Sequence, residues 1–162
     1  MESIRYTTSL FTFYLKGEIN SEKNFINFKV PNTILGLIPL GTKKDSMAIH
    51  NIASTSTSFK LKLGKMLLGV LAVFLGFALF ESSVLWALIV LLIGANWVID
   101  AFEIDLVVRT NSGEIKIIDF LIFEKSKAEE ANKAILSMIS QRLDDTNNRE
   151  QTDRIVDAIN KK

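Results

Sequence analysis

His50 is the sole histidine of this 162-residue chain, and cysteine is absent. A structural zinc ion needs several imidazole or thiolate donors, so it has no ligand set to draw on. Serine–histidine–acid hydrolysis would have to use His50, yet no Gly-x-Ser-x-Gly elbow accompanies it. The glycine-rich phosphate loops and the His-Glu-x-x-His metalloprotease helix are missing as well. Acidic residues are scattered along alternating segments such as DLVVR and give no obvious pair for general acid–base work. These observations predict no catalytic residue, no metal and no cofactor; His50 reads as a surface or partly buried polar residue.

Lys43, Lys44, Lys60, Lys62 and Lys65 are the one basic grouping with a physical story. Beside an anionic membrane leaflet each would contribute about 1 kcal/mol. The plainer reading is that they set membrane topology and solvate strand faces, with Asp45 diluting the first pair. Over the whole chain 19 basic residues face 18 acidic ones, which leaves no bulk field to attract nucleic acid. The lack of cysteine agrees with a reducing compartment.

Such side chains need elements to hold them, and the most distinctive element is apolar. Between Lys65 and Asp100 the segment KMLLGVLAVFLGFALFESSVLWALIVLLIGANWVID carries one charge, Glu81. A single helix over Met66–Ile99 would run roughly 50 Å at about 1.5 Å per residue, against a hydrocarbon core of about 30 Å. It would also bring Glu81 near the midplane, at a cost of roughly 3 kcal/mol. Two helices, 66–80 and 84–99, turning at Glu81-Ser82-Ser83, remove both objections. Each is short, so Lys65 and Glu81 must snorkel or the bilayer must thin. Trp86 and Trp97 fall at the two expected interfaces, and the lysines before the hairpin put both flanks on the cytoplasmic side. Gly64, Gly69, Ala72, Gly76, Gly94 and Ala95 are small enough to let the helices approach, and Asn96 is expected to hydrogen-bond across the hairpin or to headgroups.

The flanks alternate as strands do. The pattern appears in Ser9–Leu15, in NFINFKV up to a break at Pro31-Asn32, and in Thr33–Ile38 before a Pro39-Leu40-Gly41 turn. It continues through 43–50 and 52–63, with the Ser54–Ser58 tract on the outer face of an edge strand. After the hairpin, FEIDLVVR directs Phe102, Ile104, Leu106 and Val108 inward and Glu103, Asp105 and Arg109 outward. Asn111-Ser112-Gly113 then turns into EIKIIDFLIF. Helical spacing takes over at Ala128, Ala131, Ile135 and Met138, with Ser126 and Glu129 as a capping box. The first residues lack the basic and apolar regions of a cleavable signal peptide. The expected organisation is α+β: strands in 1–63, the membrane hairpin in 64–100, strands and a closing helix in 101–143, then a polar linker and short C-terminal helix or tail in 144–162. In that tail Ile155, Val156 and Ile159 form a short apolar stripe that could dock a partner.

The segments NTILGLIPLGTKKDSMAIHNIAS and DLVVRTNSGEIKIIDFLIFEKSKAEEANKAI, in that order around a helical hairpin, resemble the bacterial membrane-associated PH-like (pleckstrin-homology-like) proteins. The resemblance covers roughly residues 5 to 143. It implies an antiparallel β-barrel or sheet closed by a C-terminal amphipathic helix and interrupted by the hairpin. The first strand–loop–strand, KGEINSEK, offsets its lysines with Glu18 and Glu22, unlike the basic site of phosphoinositide-binding PH domains. The expectation is a non-enzymatic adaptor or assembly subunit in the cell membrane, with two spans and both termini cytoplasmic. Its partners would be membrane lipids and a protein, or further copies of itself, and no nucleic acid. An anionic-lipid sensor and a small oligomeric channel or transporter subunit are the alternatives.

Overall fold

Among the described residues, alternating apolar and polar side chains produce seven strands, and unbroken apolar sequence produces two helices between the fifth and sixth. The computed structural model describes residues 3–34 and 36–160, the side chains of residues 150 and 153–160 excepted. In chain order the elements are β1 (Ile4–Thr7), β2 (Lys16–Glu22), β3 (Phe25–Ile34), β4 (Ile38–Ala48) and β5 (Ile52–Leu61). Helices α1 (Leu63–Ala78) and α2 (Val84–Ile99) follow, then β6 (Phe102–Thr110), β7 (Ile115–Leu121) and α3 (Lys125–Asn160). The class is α+β with two antiparallel sheets, ordered β1-β2-β3-β4 and β5-β6-β7. The sheets do not join into a closed barrel. Ile19 and Phe28 from the first sheet, Leu106, Val108 and Ile118 from the second, and Ala128, Ala131 and Ile135 from α3 share one buried core.

Several local expectations are corrected. Ser9–Leu15 is a loop closed by a Leu15 N–H to Thr12 carbonyl bond of 2.8 Å, not a strand. Its polar Ser9 and Thr12 are buried while Phe11 and Phe13 are exposed, the inverse of a core-facing strand. Pro31 does not break β3. The β2 ladder ends at Glu18↔Lys29, so beyond it β3 has only β4 as a neighbour and tolerates a proline, with a register shift at Asn32/Thr33. The turn lies at Gly36, whose φ is 73°, and Pro39–Gly41 belong to β4. Ser126 sits inside α3, which starts at Lys125 after a 3-10 turn, so it is not the cap. A linker was expected from residue 144, but α3 runs on to Asn160.

β5 and β6 are paired neighbours from Ile52↔Thr110 to Leu61↔Phe102, and Lys62 N–H adds a bond to the Ala101 carbonyl at 2.9 Å. The α1–α2 hairpin therefore replaces the turn of a β-hairpin. Strand directions give the sheets two ends. At the hairpin end lie the β1–β2 loop, the β3–β4 turn and the start of α3, where the Thr7 N–H reaches a Glu124 oxygen at 3.1 Å. At the far end Ile49 N–H bonds the Asn24 carbonyl and Asn111 N–H the Asn51 carbonyl, both at 2.8 Å.

Candidate functional site

α1 and α2 stay together because glycine removes the side chains that would separate them. A Cβ on Gly69 would stand 2.7 Å from the Val98 nitrogen, and one on Gly94 would stand 2.8 Å from the Val73 nitrogen. Gly76 meets Leu91 in the same way, whereas Gly64 faces open space. The outward faces are apolar and uncovered: Leu67, Leu71, Phe74, Phe77, Leu85 and Leu92 are all exposed. Among the described residues the helix Leu63–Glu81 is long and apolar enough to cross a membrane, and only 11% of its apolar window is buried; Val84–Ile99 is apolar but shorter. Trp86 is exposed beside the hairpin tip, and Trp97 is half-buried near its base.

Two polar clusters clamp that base. In the first, Asn96 accepts the Phe11 N–H at 3.2 Å and donates its amide to Asp100 at 3.2 Å. Asn96 thus bonds the β1–β2 loop rather than the opposite helix. Asp100 also accepts the Leu10 N–H at 3.3 Å, and the Ser9 hydroxyl donates to the Gly36 carbonyl at 3.0 Å. A Cβ on Gly36 would stand 2.8 Å from both the Asp100 Oδ2 and the Ser9 Oγ, so close approach and positive φ together demand glycine. The β1–β2 loop is therefore tied to the foot of α2, and the β3–β4 turn is tied to that loop.

The second cluster lies where the sequence predicts a solvent face. Glu103 and Asp105 of β6 are buried, at 1% and 4% exposure, and Asp119 of β7 stands beside them. Lys60 pairs with Asp105 at 3.1 Å, Lys62 with Asp119 at 2.8 Å and with Glu103, and Lys65 with Glu103 at 3.1 Å. Burial pulls the Lys62 ammonium down, but hydrogen bonds to Asp119 and Glu103 and their charges outweigh it and leave its pKa raised. Burial raises the Asp105 carboxyl; Lys60 opposes this and the Asp119 charge adds to it. Oxygens of Glu103, Asp105 and Asp119 come within 4.8 Å of one another, a spacing that would suit a metal ion. Three ammonium groups already supply the compensating charge, so the arrangement is an internally neutralised ion-pair network.

Lys43 reaches Asp45 at 3.8 Å and is largely exposed; Lys44 is exposed and has no ion pair among the described residues. The five lysines are therefore divided, three into the carboxylate network and two onto the β4 edge. His50 is exposed, and its carbonyl accepts from Asn111 and Arg142 at 3.0 and 3.2 Å. The stripe Ile155, Val156 and Ile159 lies on α3 with side chains outside the described residues. Sequence reasoning missed Ser9, Gly36, Glu103 and Asp119. The available signal was a mirror: KLKLGK enters the hairpin and FEID leaves it, on strands that must be neighbours if the hairpin closes. Compared with protein-family models, curated proteins and solved structures, the chain matches none.

Proposed function

We propose that this protein is a non-enzymatic adaptor or assembly subunit, a PH-like domain fixed at the cytoplasmic face of a cell membrane by a two-span hairpin. One observation carries the reading: the hairpin is apolar all round, yet its own domain leaves its outward faces uncovered. A core helix of a soluble protein would be mostly buried; uncovered apolar surface of this extent needs lipid or protein around it. Two antiparallel sheets followed by a helix against the core agree with the PH-like resemblance, although the sheets do not close.

Chemistry argues for binding and not catalysis. The buried carboxylates of the second cluster are each engaged by a lysine, Asp105 included although burial raises its pKa. The same pairing weakens an anionic-lipid reading, because Lys60, Lys62 and Lys65 are spent on carboxylates. A partner would be met at the far end of the domain. There the β2–β3 turn and α3 enclose a polar groove of about 570 Å³, bordered by Lys23, His50, Arg142 and Arg149. Beyond Arg149, residues 150–160 of α3 continue for about 16 Å at ~1.5 Å per residue.

The test is crosslinking in native membranes followed by purification in mild detergent. Recovery of a distinct protein, lost when Arg142 and Arg149 are both changed to Glu, is expected. Recovery of this chain alone at every expression level would count against an adaptor.

A further inference from the structure

We infer that the β1–β2 loop and the β3–β4 turn are themselves membrane anchors, which sink the hairpin end of the domain into the headgroup–acyl boundary of one leaflet. The inference rests on the membrane reading of the hairpin and adds a second contact with the same bilayer. Its occupant is lipid, engaged by apolar side chains and not by charge.

Three observations carry it. The first is the contrast between the two ends of one domain. The hairpin end exposes Leu10, Phe11, Phe13 and Tyr14 in the β1–β2 loop, and Ile38 and Leu40 where β4 leaves the β3–β4 turn, at 37–62%. The far-end turns, Glu22-Lys23-Asn24, His50-Asn51 and Asn111-Ser112-Gly113-Glu114, are polar, with Phe25 and Ile115 exposed beside them. A domain standing off in water has no reason to concentrate its exposed aromatics at one end. The inverted alternation of the β1–β2 loop, with Ser9 and Thr12 inside and Phe11 and Phe13 outside, says the same at residue scale.

The second is height. α2 has 16 residues, so it spans about 24 Å at ~1.5 Å per residue, against a hydrocarbon core of about 30 Å. If the hairpin spans, the bilayer must either thin or reach beyond the helix ends. The Phe11 N–H is bonded to Asn96, one helical turn inside the end of α2, and Leu10 and Phe11 flank a pocket shared with Leu92 and Ala95. The loop therefore already lies level with apolar helix surface, where the missing apolar height is needed.

The third is partial backbone satisfaction, of the kind lipid contact favours in a loop. The N–H groups of Leu10, Phe11, Leu15 and Leu37 are bonded to Asp100, Asn96, Thr12 and Ile34. The polar interior of the loops faces the protein, and the apolar exterior is left for the bilayer.

The cysteine-free chain makes the test direct. Single variants Phe13→Cys, Ile38→Cys, Leu88→Cys and Ser112→Cys of the full chain are labelled with a nitroxide and reconstituted in phosphatidylcholine vesicles without anionic lipid. Spin relaxation by oxygen and by a water-soluble nickel complex then reports depth. Labels at 13 and 38 are expected to be several-fold less relaxed by nickel than the label at 112, as at 88. If 13 and 38 behave like 112 while 88 is shielded, the anchoring loops are disproved and the spanning hairpin stands. If 88 is also open to nickel, the membrane reading fails and the inference falls with it.

Discussion

At Asn96 one amide oxygen takes the Phe11 N–H while the amide nitrogen donates to Asp100, so Asn96→Leu strands groups on two elements at once. The variant is expected to lose about 1–3 kcal/mol, read as a lower unfolding midpoint in detergent. Lys62 presents the sharper contrast. It faces Glu103, which is 1% exposed, so Lys62→Met leaves a buried carboxylate with Lys65 alone. A loss of about 2–4 kcal/mol follows, while Lys44→Met on the exposed β4 edge changes stability by less than about 0.5 kcal/mol. The raised pKa of Asp105 also sets a sign. The folded state holds that proton more tightly than the unfolded chain, so the contribution is full below about pH 4 and lost as pH rises through the raised value. The midpoint of the native chain should therefore fall relative to Asp105→Asn as pH rises above about 4. The lysines of this network were legible because like charges cluster before the hairpin. Their partners were not, because alternation assigns Glu103 and Asp105 to the second face of a sheet but cannot say that this face is covered. Here the end of β3, with Val30, Pro31 and Asn32, stands across a cavity from Lys62, Glu103 and Asp119.

The α1–α2 contact is the element whose geometry is most sharply set by side-chain size. Gly69→Val and Gly94→Val each drive a side chain into the opposite backbone and should cost about 1–3 kcal/mol. Gly64→Val, in open space, is expected to stay within about 0.5 kcal/mol. Thermal unfolding of the three variants side by side measures the difference. Strand existence was readable from period-2 patterning in β3, β6 and β7, but strand ends were not. Pro31 and Pro39 read as breaks because a proline removes a ladder donor; they are tolerated where β3 has outrun β2 and where β4 is an edge. The Ser9–Leu15 alternation misled for another reason. Its apolar residues are real but face away from the protein, a distinction that a periodicity cannot make. Beyond residue 143 the stripe Ile155, Val156 and Ile159 has helical spacing, but the polar stretch from Asp144 to Arg154 has no apolar face, so the continuity of α3 through it was not legible.

For the molecule as a whole, the register Leu61↔Phe102 has one large consequence. Whatever surrounds the hairpin, its two ends return to adjacent strands, so the domain on either side of it is one body and not two. In the proposed setting this pins the sheets to one membrane face, with α3 directed away from it and the apolar loops toward it. The proposed topology requires the hairpin to cross twice, and labelling from outside tests this most directly. Single cysteines at Ser3, Ser82 and Ser112 are exposed to a membrane-impermeant maleimide on intact cells and again after permeabilisation. Ser82→Cys is expected to be labelled on intact cells, and Ser3→Cys and Ser112→Cys only after permeabilisation. Labelling of Ser3→Cys and Ser112→Cys from opposite sides, or of Ser82→Cys only together with them, would contradict it.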